Sequence, residues 1–122
     1  MERNIIKEKS YQFALDVVLI CKEIFEQKKE YILSKQLLRS ATSIGANVEE
    51  AIGGYSGNDF LCKLTIAYKE AREANYWIRL LRDSGYLEQE RADTLEQASM
   101  ELIRIMAKIQ LTMKNKQSNK YN

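Results

Sequence analysis

Proline is absent from all 122 residues and glycine occupies only five of them, so almost nothing in the chain forces its backbone out of the α region. Ala, Leu, Ile, Glu, Lys and Gln recur throughout, and these residues lose little side-chain freedom in a helix. The expectation is an all-α fold. With 45% apolar residues the length suffices for one real core, and a second independent domain is not expected.

Four periodic segments carry that expectation. The first runs from about Ile5 to Lys28, with one stripe formed by Tyr11, Leu15, Val18, Cys21 and Phe25 and a second beside it formed by Phe13, Val17, Ile20 and Ile24. Such a face is wider than a monomeric bundle helix requires, so part of it is expected to meet another subunit. After the polar run "EQKKE" a second helix begins between Tyr31 and Lys35, turns Leu37, Ala41, Ile44, Val48 and Ala51 inward, and ends at Gly53-Gly54. Glycine closes a helix there by its access to the left-handed conformation.

Ser56 or Asn58 is placed to cap the third helix, and Asp59 complements its positive end. This helix continues through Phe60, Leu64, Ala67, Tyr68, Ala71, Ile78 and Leu81 to a stop at Gly85. The last, from Glu88 to about Lys114, follows a heptad of Leu95, Ala98, Leu102, Ile105 and Ile109, flanked by Ile103, Met106 and Met113. Short connections between long helices make neighbours antiparallel, which predicts an up-down-up-down four-helix bundle over residues 1–114. Residues 115–122, "NKQSNKYN", have no periodicity and read as a flexible basic tail.

The stretch "SATSIGANVEEAIGGYSGND" is the least ordinary. Ser40, Ser43, Asn47 and Glu50 recur at i, i+3, i+7 and i+10, one face of the second helix, with Arg39 bordering it. A solvated flank would more naturally carry lysine and glutamate, so this line is expected to form a polar network fixing the register of the second and third helices. The third helix offers Glu70, Arg72, Glu73 and Asn75 as partners, and the expected link joins Asn47 to Glu73. Gly45 costs about 1 kcal/mol against alanine inside a helix, which points to the close approach of another backbone.

The same residues offer little chemistry. Histidine is absent, which removes the commonest general base, the usual serine and cysteine triads and the Glu-x-x-His ligand pairs of di-iron bundles. Glu50, Glu70 and Glu73 make a weak carboxylate metal site without nitrogen ligands, and "GGYSG" lacks the lysine and spacing of a phosphate loop. A non-enzymatic protein with no metal and no cofactor is expected. Cys21 and Cys62 both sit in apolar helical contexts and read as reduced, small hydrophobes. With no signal peptide and no apolar run of about 20 residues, a cytoplasmic protein without membrane contact is expected.

Lys and Arg total 19 against 17 Asp and Glu, a balance that permits a nucleic-acid partner without demanding one. Beyond Glu101 every charged residue is basic: Arg104, Lys108, Lys114, Lys116 and Lys120. These are the candidate phosphate contacts for RNA or DNA, although they equally suit a helix C-terminus or a solvated tail. Trp77 lies outside the inner stripe of its helix, which suits either a subunit interface, shared with Ile103, or a cover over the bundle edge. A protein-binding scaffold with no nucleic-acid affinity is therefore the alternative reading.

The segments "QLLRSATSIGANVEEA", "DFLCKLTIAYKEAREANYWIRLL" and "DSGYL" resemble the bacterial four-helix-bundle proteins called 23S ribosomal RNA intervening-sequence proteins. The specific part is Leu38, Arg39, Ser40, Ser43, Asn47 and Glu50, and the resemblance extends from about Tyr11 to Ile109. The chain is also similar to the accessory variability determinant proteins of diversity-generating retroelements. Both resemblances imply an up-and-down bundle that assembles into a homopentamer. The second implies nucleic acid and a reverse transcriptase as partners. They make the serine-asparagine-glutamate line a structural signature, with Glu73 at the family's third-helix glutamate.

Overall fold

The computed structural model describes the backbone of residues 2–121 and the side chains of residues 5–116 and Ser118. It is an all-α, up-down-up-down four-helix bundle. Helix α1 spans Glu2–Glu23 and widens into a π-helical turn over Ile24–Lys28; α2 spans Ile32–Ile52, α3 Gly57–Asp83 and α4 Gln89–Tyr121. Consecutive helices pack side by side and α1 closes against α4.

Each connection has a local cause. Lys29 takes the left-handed conformation at φ 55° after the π turn, and the Glu30 carboxylate then accepts from the amides of Ile32, Leu33 and Ser34 at 2.8, 3.0 and 2.8 Å. These are amides that the first turn of a helix leaves without partners. Ser56, not Asn58, caps α3, its hydroxyl accepting from Asp59 N–H at 3.1 Å. Gly85 closes α3 at φ +86°, as expected. The pair Gly53-Gly54 ends α2 differently from expectation. Gly53 has φ −82°, and a Cβ on Gly54 would lie 3.2 Å from Asp59 Cβ and 3.3 Å from the Ala51 carbonyl. Close packing against the start of α3, rather than left-handed backbone, makes Gly54 the fitting residue.

The core follows the second and third helices as expected, with Leu37, Ala41, Ile44, Val48 and Ala51 facing Phe60, Leu64, Ala67, Ala71, Ile78 and Leu81. On α1 the buried line is Ile6, Ser10, Phe13, Val17, Ile20, Cys21 and Ile24, while Tyr11, Leu15 and Val18 lie outside it with Leu19. On α4 the buried line is Ala92, Leu95, Ser99, Leu102, Met106 and Ile109, which moves Ala98 and Ile105 to half-buried flanks. Ser99 is small and its hydroxyl donates to the Glu96 carbonyl at 2.7 Å, so it enters the core without a lost hydrogen bond. Helix α4 continues to Tyr121, past the expected end near Lys114, since no glycine or proline stops it. Gly45 does meet backbone: a Cβ there would lie 3.7 Å from the Ser10 carbonyl oxygen of α1.

Candidate nucleic-acid interface

The polar line of α2 divides into three parts. Arg39 reaches across to α3, where one guanidinium nitrogen pairs with Glu70 at 2.8 Å and the other with Glu73. Buried Ser40 also donates to Glu73 at 3.1 Å, and the Trp77 indole N–H does so at 3.2 Å. Burial pushes the Glu73 carboxyl up, but hydrogen bonds from Trp77, Arg39 and Ser40 and the adjacent guanidinium charge outweigh it and hold it below the ordinary glutamate range. Asn47 does not belong to this clasp. Its amide donates to the Ser43 carbonyl at 2.8 Å and hydroxyl at 3.1 Å, both within α2. Glu50 sits one turn further on and pairs with Lys63 at 3.6 Å.

This arrangement holds α2 against α3. Among the described residues, no three Cys, Asp or Glu side chains converge as a metal site. Burial, with some help from Glu30, pushes the Cys21 thiol up to about 12, which makes it a poor nucleophile. Its Sγ donates to the Ser34 carbonyl at 3.3 Å.

The basic residues of α4 are not gathered on one face. Lys108, Lys114 and Lys116 are exposed, and with about 100° per residue Lys114 and Lys116 point to nearly opposite sides of the helix. The Lys120 side chain lies outside the described residues. Arg104 behaves differently. It borders an open groove of about 580 Å³ between α3 and α4, lined also by Arg72, Asn75, Arg79, Glu96, Met100 and Ile103. In the groove wall Asn75 donates to buried Ser99 at 3.0 Å, which ties α3 to α4 there. Antiparallel packing puts Arg72 toward the Arg104 end of the groove and Arg79 toward the Glu96 end.

Sequence reasoning missed Arg72 and Arg79 as candidate phosphate contacts. The available signal was their spacing with Asn75, i, i+3 and i+7, which puts all three on one face of α3. Trp77 is half-buried against the core, with the Tyr76 ring edge-on at 5.0 Å. Ile103 is half-buried in the groove wall.

A family model described as "23S rRNA-intervening sequence protein" matches residues 2–108. A crystal structure of a Bacteroides thetaiotaomicron VPI-5482 protein of unknown function, from the S23 ribosomal protein family, is 41% identical and superposes with a TM-score of 0.87 over 89% of this chain and 97% of that one. No curated protein matches the chain.

Proposed function

Because the chain belongs to the 23S rRNA-intervening sequence protein family, we propose that it is a non-enzymatic helical bundle that assembles with copies of itself, as a pentamer, and serves as a cytoplasmic RNA-associated accessory protein. Family membership is the observation that carries the RNA association. Assembly is supported by the outer face of α1, where Tyr11 is 67% exposed beside exposed Leu15, Val18 and Leu19. An apolar patch of this kind on a soluble surface marks an interaction site.

The test combines two readings on one sample: assembly mass by light scattering, and anisotropy of a labelled structured RNA titrated at several salt concentrations. A multimer whose RNA affinity falls steeply with salt is expected. A monomer, or a multimer with no affinity at low salt, contradicts the corresponding half of the proposal. The α1 face equally favours the second reading, a protein-binding scaffold, for which the likeness to accessory variability determinants suggests a reverse transcriptase as partner. An intact multimer without RNA affinity moves the assignment there.

A further inference from the structure

Six arginine side chains are described, and they divide evenly. Arg39, Arg82 and Arg91 each pair with carboxylates. Arg72, Arg79 and Arg104 form no ion pair among the described residues, and all three line the α3–α4 groove. Three guanidiniums without a carboxylate partner in one groove concentrate uncompensated charge. The acid in the same groove, Glu96, is already held by Arg82 at 2.6 Å, so it does not neutralise the lining.

The groove has more than charge. Arg79 is held by its Nε on the Asn75 side-chain oxygen at 2.9 Å and lies over the Tyr76 ring at 5.9 Å. Arg72 lies over the Tyr68 ring at 5.8 Å. These contacts orient each guanidinium; Arg72 Nη1 also donates to the Tyr68 hydroxyl at 3.4 Å, which leaves Nη2 of Arg72 and both terminal nitrogens of Arg79 for a planar acceptor such as phosphate. Arg72 and Arg79 stand about 10 Å apart along α3, a span that crosses more than one phosphate of a strand. Between them, exposed Met100 and half-buried Ile103 form an apolar floor, and the Tyr76 ring, 49% exposed, lies beside Arg79 just outside the groove lining. Such surfaces stack or cover unpaired bases, which a duplex keeps inside.

We propose that the α3–α4 groove is a binding site for single-stranded RNA, with Arg72, Arg79 and Arg104 on the phosphates and Tyr76, Met100 and Ile103 against the bases. This rests on the RNA-associated reading above and moves its contacts from the C-terminal lysines to the groove. The three arginines and Tyr76 are exposed, so their replacement leaves the core intact.

The experiment measures binding of a labelled 20-nucleotide unstructured RNA across a salt series by the wild type, the triple variant Arg72→Gln/Arg79→Gln/Arg104→Gln, the tail variant Lys114→Gln/Lys116→Gln, and Tyr76→Ala. Circular dichroism and assembly mass are checked for each. The triple variant is expected to bind at least ~10-fold more weakly at low salt, with a log–log salt slope shallower by about 2, given ~0.7 per phosphate contact on single strands. Tyr76→Ala is expected to lose ~5-fold or more, as removal of a stacking partner does, and the tail variant to stay within ~2-fold of wild type. Unchanged binding by the triple variant, or loss confined to the tail variant, overturns the groove while the RNA-associated reading stands. Equal affinity for a blunt RNA duplex overturns the single-strand assignment. Absence of binding by the wild type to this strand overturns the groove, and absence of binding to the structured RNA as well overturns the RNA-associated reading.

Discussion

At the scale of single residues, Gly45 shows how a packing position can be occupied by a residue smaller than it needs. A methyl group there would touch the Ser10 carbonyl of α1 at 3.7 Å, ordinary van der Waals contact. Alanine should therefore keep the helix crossing and gain helix propensity. Gly45→Ala is expected to stabilise the fold by about 0.5–1 kcal/mol, read as a higher denaturation midpoint with unchanged slope. A lower midpoint would mean that α1 and α2 approach more closely than this. Sequence reasoning expected a close backbone approach from glycine's helix penalty, whereas the contact present with α1 is an ordinary one that does not require glycine. It could not supply the partner, because nothing local distinguishes Ser10 from any other polar residue of α1.

At the scale of elements, helix starts and stops were read with mixed success, and the reasons are physical. Ser56 and Gly85 act through their own side chain or backbone, so type and position reveal them. The start of α2 is instead capped by Glu30, a residue better known for solvated helix faces. Burial pushes its carboxyl up, yet the amides of Leu33, Ser34 and Ile32 together hold it below the ordinary glutamate range. Glu30→Ala should cost about 1 kcal/mol, as loss of a helix cap does, with Glu30→Asp recovering part of it in the same urea titration. No difference between wild type and alanine would reject the cap as a source of stability.

The inward faces of α2 and α3 were legible because each carries one dominant apolar stripe. Helix α1 carries two, and periodicity cannot say which is inside. The deciding residues were Ile6 and Ser10, both buried, and a serine does not announce a core position. Ser99 misled the reading of α4 in the same way. Arg39 was read as the border of a polar line whereas it is the centre of a clasp, because its reach across to Glu70 and Glu73 depends on helix spacing rather than on sequence spacing.

At the scale of the whole molecule, ion pairs follow the neighbour order of the bundle. Lys7 meets Glu49 between α1 and α2, Arg39 meets Glu70 and Glu73 between α2 and α3, Arg82 meets Asp93 and Glu96 between α3 and α4, and Arg91 meets Glu23 between α4 and α1. Each exposed pair contributes little by itself, but none could form with the helices in another register. The Arg91 hydrogen bond holds the Glu23 carboxyl below its ordinary range, and Glu30 and Glu73 are also held low.

A depressed folded-state pKa means that the native chain binds fewer protons than the unfolded one in acid. The stabilisation is therefore complete above the unfolded glutamate value and lost as pH falls through the folded values. Thermal midpoints should be nearly flat above about pH 5 and decline below about pH 4.5. Glu73→Gln should make that decline shallower while lowering the neutral-pH midpoint. A profile identical to wild type would remove Glu73 from the acid response. The arginine groove belongs to this scale as well: Arg72, Arg79 and Arg104 look like ordinary solvated positions on their own helices, and the packing of α3 on α4, with Asn75 bonded to Ser99, brings them together.

The clasp on Glu73 also turns the protein into its own optical instrument. Trp77 is the one tryptophan of the chain, and its indole N–H donates to the carboxylate that Arg39 and Ser40 share. Intrinsic emission excited at the tryptophan band thus reports on a single seam, α2 against α3, without any attached label. Ellipticity reports on all four helices at once. In an acid titration the two signals separate the parting of that seam from the melting of the bundle, and the gap between their midpoints measures how far the seam can open while the helices survive.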